Sequence, residues 1–301
     1  MGQETIVLLD SVAISKTFMI PKMFIAVLVI TTNSILIHTL KKLGKLQTIS
    51  FKFILSLCIS DICIGLTLII SEATGILFSG TDHLMFSLHI WSVMLSFVTF
   101  SILATVSIAL DRFIHMRYLT RYPLVMTSHK AWALLLGNII TSISFSAICL
   151  YKTTIGYTIT AELYESIIIA IFVCIAFLLY IKAYVSMKAR SRRIILNNVG
   201  GPENIPIQDQ GYEFSRLVLF ILGSLLTCYT PIVVSSVLMF RDYPHITRKD
   251  LLLRTYSEFL VYVNAAMNPV IMIISSRALR AYVGRLFCCR SVNQVDCIYP
   301  I

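Results

Sequence analysis

The sequence predicts an all-α membrane protein: a bundle of seven transmembrane helices followed by a short amphipathic helix. Three observations predict it. The chain is 57% hydrophobic and only 13% charged, where a soluble domain is about a quarter charged. Its mean hydropathy is +0.83. Apolar runs of the length that crosses a bilayer as a helix, about 20 residues, recur along the whole chain. Helix is the form such runs take, because a lone strand would leave its backbone groups unpaired in lipid.

The runs lie at 18–40, 49–78, 84–111, 131–151, 164–187, 214–240 and 251–275. Residues 1–17 read as a short outer tail, without the basic start and small-residue cleavage site of a signal peptide. Span 1 is therefore expected to act as an uncleaved anchor. The basic clusters Lys41-Lys42-Lys45, Arg112-Arg117-Arg121, Arg190-Arg192-Arg193 and Arg277-Arg280-Arg285 all fall on one side. The positive-inside rule makes that side cytoplasmic and the N-terminus extracellular. The net charge of +10 is then a topology signal and an attraction to anionic membrane lipid. No soluble basic face is present for nucleic acid. The stretch "NNVGGPENIPIQDQG" between spans 5 and 6 reads as a flexible linker.

Chemistry-bearing motifs are few. There is no Gly-rich phosphate loop, nucleophile elbow or Cys/His cluster. No loop is long enough to bury a catalytic domain, so the chain does not read as an enzyme. Of the eight cysteines, only Cys149 reaches the outer end of a span, which leaves no outer disulfide within one chain.

Polar residues inside the runs need a reason, because an ionisable group at mid-bilayer costs about 3 kcal/mol on insertion scales. Asp61 is the plainest case. Asn33 on span 1, Ser101 on span 3, and Asn264 and Asn268 on span 7 fall at matching depth. Together they are read as an oxygen cage around one carboxylate, suited to a hard cation such as sodium, a proton or a water cluster. Pro231 and Pro269 interrupt two helices and permit kinks. After span 7, Leu279, Tyr282, Val283, Leu286 and Phe287 recur at helical spacing among arginines. This predicts an amphipathic helix over 276–289 on the inner leaflet. Cys288 and Cys289 at its end are placed for palmitoylation, and 290–301 reads as a cytoplasmic tail.

An acid and a base, Asp111-Arg112, stand where span 3 meets basic sequence. Seven spans, an outside N-terminus, Asp61, Asp111-Arg112, Pro231 and Asn268-Pro269, in that order, resemble the rhodopsin-like G-protein-coupled receptors over almost the whole chain. The resemblance implies that Asp111 holds Arg112 at rest. On activation Arg112, with Phe113 beside it and Tyr180 on span 5, would meet a heterotrimeric G protein. "DRFIHMRYLTRYPLVMT" and "SSRALRAYVGRLFCC" resemble the adenosine, melanocortin and cannabinoid branch. Ser87 in place of the usual span-3 cysteine and Phe172 in place of the span-5 proline fit the melanocortin pattern. Departures are Phe113 for tyrosine, Tyr229 for the span-6 tryptophan and Met272 for the span-7 tyrosine. Ser71, Ser87 and Trp91 stand where melanocortin receptors carry acids, and only Glu72 lies near.

The resemblance also excludes ligands. Met94 stands where amine receptors carry an aspartate. Tyr262 stands where opsins carry the retinal lysine, so no retinal is expected. Ser236 replaces the asparagine that reads adenosine. The expected pocket, near Glu72, Met94, Tyr229, Ser236 and Tyr262, reads as apolar and aromatic with few charges, suited to a lipid, an apolar small molecule or a hydrophobic peptide end. The reading is a plasma-membrane receptor for an unknown extracellular ligand, with an allosteric sodium ion and no other cofactor. A receptor-like chain that dimerises with another receptor without signalling is one alternative. An ion- or proton-coupled transporter using Asp61 is another.

Overall fold

The computed structural model describes residues 2–44, 48–77, 81–118, 121–197 and 205–287. Nine α-helices make up the described residues: α1 Gly2–Lys42, α2 Ile49–Leu77, α3 Thr81–Tyr118, α4 Tyr122–Val125, α5 Ser128–Thr154, α6 Thr158–Asn197, α7 Ile205–Asp242, α8 Arg248–Ser275 and α9 Arg277–Phe287. No strand occurs among these residues. Seven of the helices, all but α4 and α9, are long and apolar enough to cross a membrane. Each matches one of the runs read from the sequence.

Three boundaries differ. Helix α1 begins at Gly2, so the segment read as a tail continues span 1 as helix, and α1 carries Pro21 inside it. Helices α6 and α7 run on to Asn197 and back to Ile205. Part of the expected linker, "IPIQDQG", is therefore helical. Its Pro206 falls in the first turn of α7, where a missing N–H costs nothing. The one-turn helix α4 had no periodic signal.

Local chemistry sets other helix ends. Thr247 opens α8, with its backbone N–H and hydroxyl both donating to Asp250 Oδ2, at 2.8 and 2.6 Å. That side chain satisfies a group the first turn leaves unpaired. After α5, Gly156 takes φ +89°, a left-handed conformation that favours glycine.

Helix α1 packs on α2 and α8, α2 on α3, α3 on α5 and α6, α6 on α7, and α7 on α8, which closes the bundle. The main core runs through its middle, from Val29 and Ile64 across Ile102, Tyr180, Leu225 and Tyr229 to Tyr262 and Ala265. A second cluster gathers Leu36, Leu40, Phe53, Leu57, Ile108, Met272 and Leu279, which anchors α9 under α1 and α2. Helices α1 and α2 approach closely at Gly65. A Cβ there would lie 2.8 Å from Ile30 Cγ1 and 3.0 Å from the Ala26 carbonyl. The outer faces carry bare aliphatics such as Ile139, Ile140 and Ile143, which water would not tolerate and lipid does.

Pro269 shows how a broken helix is repaired. It has no N–H to give the carbonyl of Ala265, four residues earlier. Asn33 fills that place. Its Nδ2 donates to the Ala265 carbonyl at 3.1 Å and to Val29 at 2.9 Å. In lipid such a carbonyl has no water to turn to.

Candidate functional site

Three polar centres lie along the bundle. The first is at mid-depth. Asp61, fully buried, accepts from Ser101 Oγ at 2.7 Å on Oδ1 and from Asn268 Nδ2 at 2.9 Å on Oδ2. The expected cage is smaller than the sequence reading had it. Asn264 turns its oxygen to Ser224, which donates at 2.8 Å. Asn33 serves the Ala265 carbonyl instead. Both asparagines share the depth of Asp61 but face other helices. Among the described residues, no group of three or more His, Cys, Asp or Glu could hold a metal ion.

The second centre lies at the end of the bundle where α3 meets α4. Asp111 is 1% exposed. It accepts from Tyr122 Oη at 2.5 Å and from Ser50 Oγ at 2.7 Å. Burial and this bond to Asp111 push the Tyr122 phenol above its ordinary range, so it stays a donor. The latch implied by the resemblance is therefore not formed here: hydroxyls from α2 and α4 hold the acid, and no ion pair joins Asp111 to Arg112 among the described residues. Arg112 Nε and the Tyr180 hydroxyl are both buried without a hydrogen-bond partner. Phe113 packs on the main core, with Arg117 over its ring. In the sequence Tyr122 stands out only within the stretch that carries the resemblance; its hold on Asp111 shows once α4 has folded back under α3.

The third centre is a cleft at the opposite end. Trp91, Met94, Leu95 and Val98 from α3 face Ile169 of α6 and Ile232 of α7. Tyr262 of α8 donates to Met94 Sδ at 3.4 Å. The cleft is not poor in charge, as the sequence reading had it: Glu165, Arg254 and Glu258 line it. Arg254 donates from Nε to Glu258 Oε1 at 2.9 Å and from Nη1 to Ser236 Oγ at 2.7 Å. Ser236 also accepts from Ser166 at 2.6 Å.

A family profile described as "7 transmembrane receptor (rhodopsin family)" matches residues 32–272. The chain belongs to that family. Melanocortin receptor 5 of Pan troglodytes is 22% identical to this receptor over 92% of the chain and 85% of its own length. Melanocortin receptor 3 of Mus musculus is 23% identical over 92% and 88%. Adenosine receptor A3 of Ovis aries is 32% identical, but over only 39% of the chain and 37% of its own length. The receptor is thus a multi-pass membrane protein of the G-protein-coupled class, similar to melanocortin and adenosine receptors.

The remaining expected residues fall into place on this frame. Met94 and Tyr262 line the receptor's cleft, and Ser236 sits behind it holding Arg254. Tyr229 is in the core beside the cleft rather than in its wall. Glu72 does not line it either. It forms an ion pair with Lys22 at 3.3 Å, both side chains 11% exposed, and ties α2 to α1. Pro231 and Pro269 lie inside α7 and α8. Cys288, Cys289 and the tail 290–301 lie outside the described residues. The cysteines at 58, 63, 149, 174 and 228 are free. Sequence reasoning missed Glu162, Glu165, Arg254 and Glu258. A signal was present: Glu165 and 169, and Arg254, 258, 261 and 262, keep helical spacing, and three of these acids and bases fall within apolar runs.

Proposed function

We propose that the receptor carries an extracellular signal across the plasma membrane to a heterotrimeric G protein. Its N-terminus is outside and its α9 cytoplasmic. Ligand enters the cleft lined by Trp91, Met94 and Tyr262, and the G protein docks at the Asp111-Arg112 end. The observation that carries this reading is the state of Arg112. A buried guanidinium nitrogen without a partner, beside an acid already held by Ser50 and Tyr122, is poised to take a partner from outside the chain. A purely structural arginine would have its donors satisfied. Arg112→Ala should abolish G-protein dissociation in a reporter assay while surface expression stays within about two-fold, since the residue is only half-buried and its Nε makes no hydrogen bond to lose. A well-expressed mutant with wild-type response would refute the coupling role.

The mid-depth centre supports an allosteric sodium ion. The Asp61 carboxylate and the Ser101 hydroxyl are the oxygen donors that suit a small hard cation. Asn268 fits less directly, because its amide nitrogen faces the acid. Such an ion would bias the receptor between states by the difference in its affinity for them.

A further inference from the structure

Three carboxylates meet one guanidinium around the outer cleft. Arg254, 7% exposed, is engaged by Glu258 and Ser236. Glu162 Oε2 lies 4.0 Å from Arg254 Nε, beyond hydrogen-bond range, and is buried without a hydrogen-bond partner. Glu165 is 6% exposed and lines the cleft. Its Oε2 is likewise buried without a partner. The remaining wall near it, Trp91, Met94 and Ile169, is apolar. A carboxylate oxygen left unpaired in such surroundings is costly, and a charge of opposite sign relieves it.

The neighbours decide which ligand chemistry fits. An anion would meet three acids around a single arginine, two of whose nitrogens already donate to Glu258 and Ser236. A neutral lipid would press its chain on Glu165 and leave the acid as unpaired as before. A cation on an apolar body satisfies both parts of the wall: its charge meets Glu165, and its body lies against Trp91 and Met94. Trp91 adds the attraction of an aromatic face for positive charge.

We infer that the cleft binds a small organic cation, a primary ammonium or guanidinium on an apolar body, with Glu165, and not the residue at the Met94 position, as its counter-charge and Glu162 behind it. The inference rests on the cleft being the ligand site of a receptor. It is tested by binding alone, so its failure leaves G-protein coupling through Arg112 untouched, and failure of coupling leaves it standing.

The full-length receptor, purified in detergent, is melted with 2-phenylethylammonium, with 3-phenylpropionate and with 3-phenylpropanol. These share a ring and differ in charge. At about 10 mM, binding of the ammonium in the millimolar range should raise Tm by about 3 °C or more, and the other two should not. Glu165→Gln should remove the shift. Glu162→Gln, at the more exposed edge of the cluster, should reduce it, and keeps the test open if the Glu165 variant does not fold. The inference is overturned by a shift with the anion instead, by equal shifts with all three, or by no shift with any. An ammonium shift unchanged in Glu165→Gln, or in Glu162→Gln when that is the only variant recovered, also overturns it.

Discussion

Tyr122→Phe isolates the part of the coupling end that the structure rearranged. The substitution keeps the ring, and so its edge contact with His115 at 4.8 Å, and deletes only the hydroxyl that donates to Asp111 at 2.5 Å. A hydrogen bond to a charged group contributes about 1.5–3 kcal/mol. Tyr122 is half-buried, which places its bond at the low end, about 1.5 kcal/mol, or roughly tenfold in a two-state equilibrium. Asp111 then keeps only the Ser50 donor, and its freed oxygen can turn to Arg112 next in the chain. Tyr122 thus competes with Arg112 for one carboxylate. Its loss should favour the latched arginine. We predict that basal and ligand-driven G-protein dissociation fall about tenfold in the apparent equilibrium, normalised to surface expression. Ser50→Ala should deepen the effect, and Asp111→Asn should erase it. Unchanged or raised coupling in Tyr122→Phe, or a loss that persists with Asp111→Asn, would refute the competition.

Other outcomes follow from single contacts. Asn33→Leu should lower Tm by the cost of an orphaned buried carbonyl, about 1–3 kcal/mol. That cost should largely vanish in a Pro269→Ala background, where the residue-269 N–H can serve Ala265 instead; a double-mutant cycle of thermal melts measures the coupling. Glu72→Gln should lower Tm because it leaves Lys22 unpaired in a mostly buried site, and exchanging the charges, Lys22→Glu with Glu72→Lys, should restore most of the loss. A Tm unmoved by Glu72→Gln would return that acid to other duties. If sodium prefers the resting state, it should weaken agonist binding by about 1–3 kcal/mol of coupling. Radioligand competition with and without sodium should show that effect in the wild type, reduced in Ser101→Ala and absent in Asp61→Asn.

By itself the sequence determined the fold class, the number of spans and their order. Each depends on one-dimensional quantities: run length, mean hydropathy and the side on which arginines and lysines accumulate. The pairing of Asp61 with Ser101 and Asn268 was also legible, because depth in the membrane can be counted from the end of a run. What depth cannot give is azimuth. Asn33 and Asn264 share the level of Asp61, yet the rotation of α1 and α8 turns one to the carbonyl left open by Pro269 and the other to Ser224. Glu72 read as a pocket acid until α1 brought Lys22 against it. The resemblance made Asp111 and Arg112 look like partners. But neighbouring residues on a helix point about 100° apart, and only the folding of α2 and α4 around α3 decided that Ser50 and Tyr122 would hold the acid. The cleft lined by Trp91 and Met94 is the same case in reverse. Glu165 and Glu258 were visible one by one in the runs, but the convergence of the acids on Arg254 depends on how α6, α7 and α8 face one another, which packing alone sets.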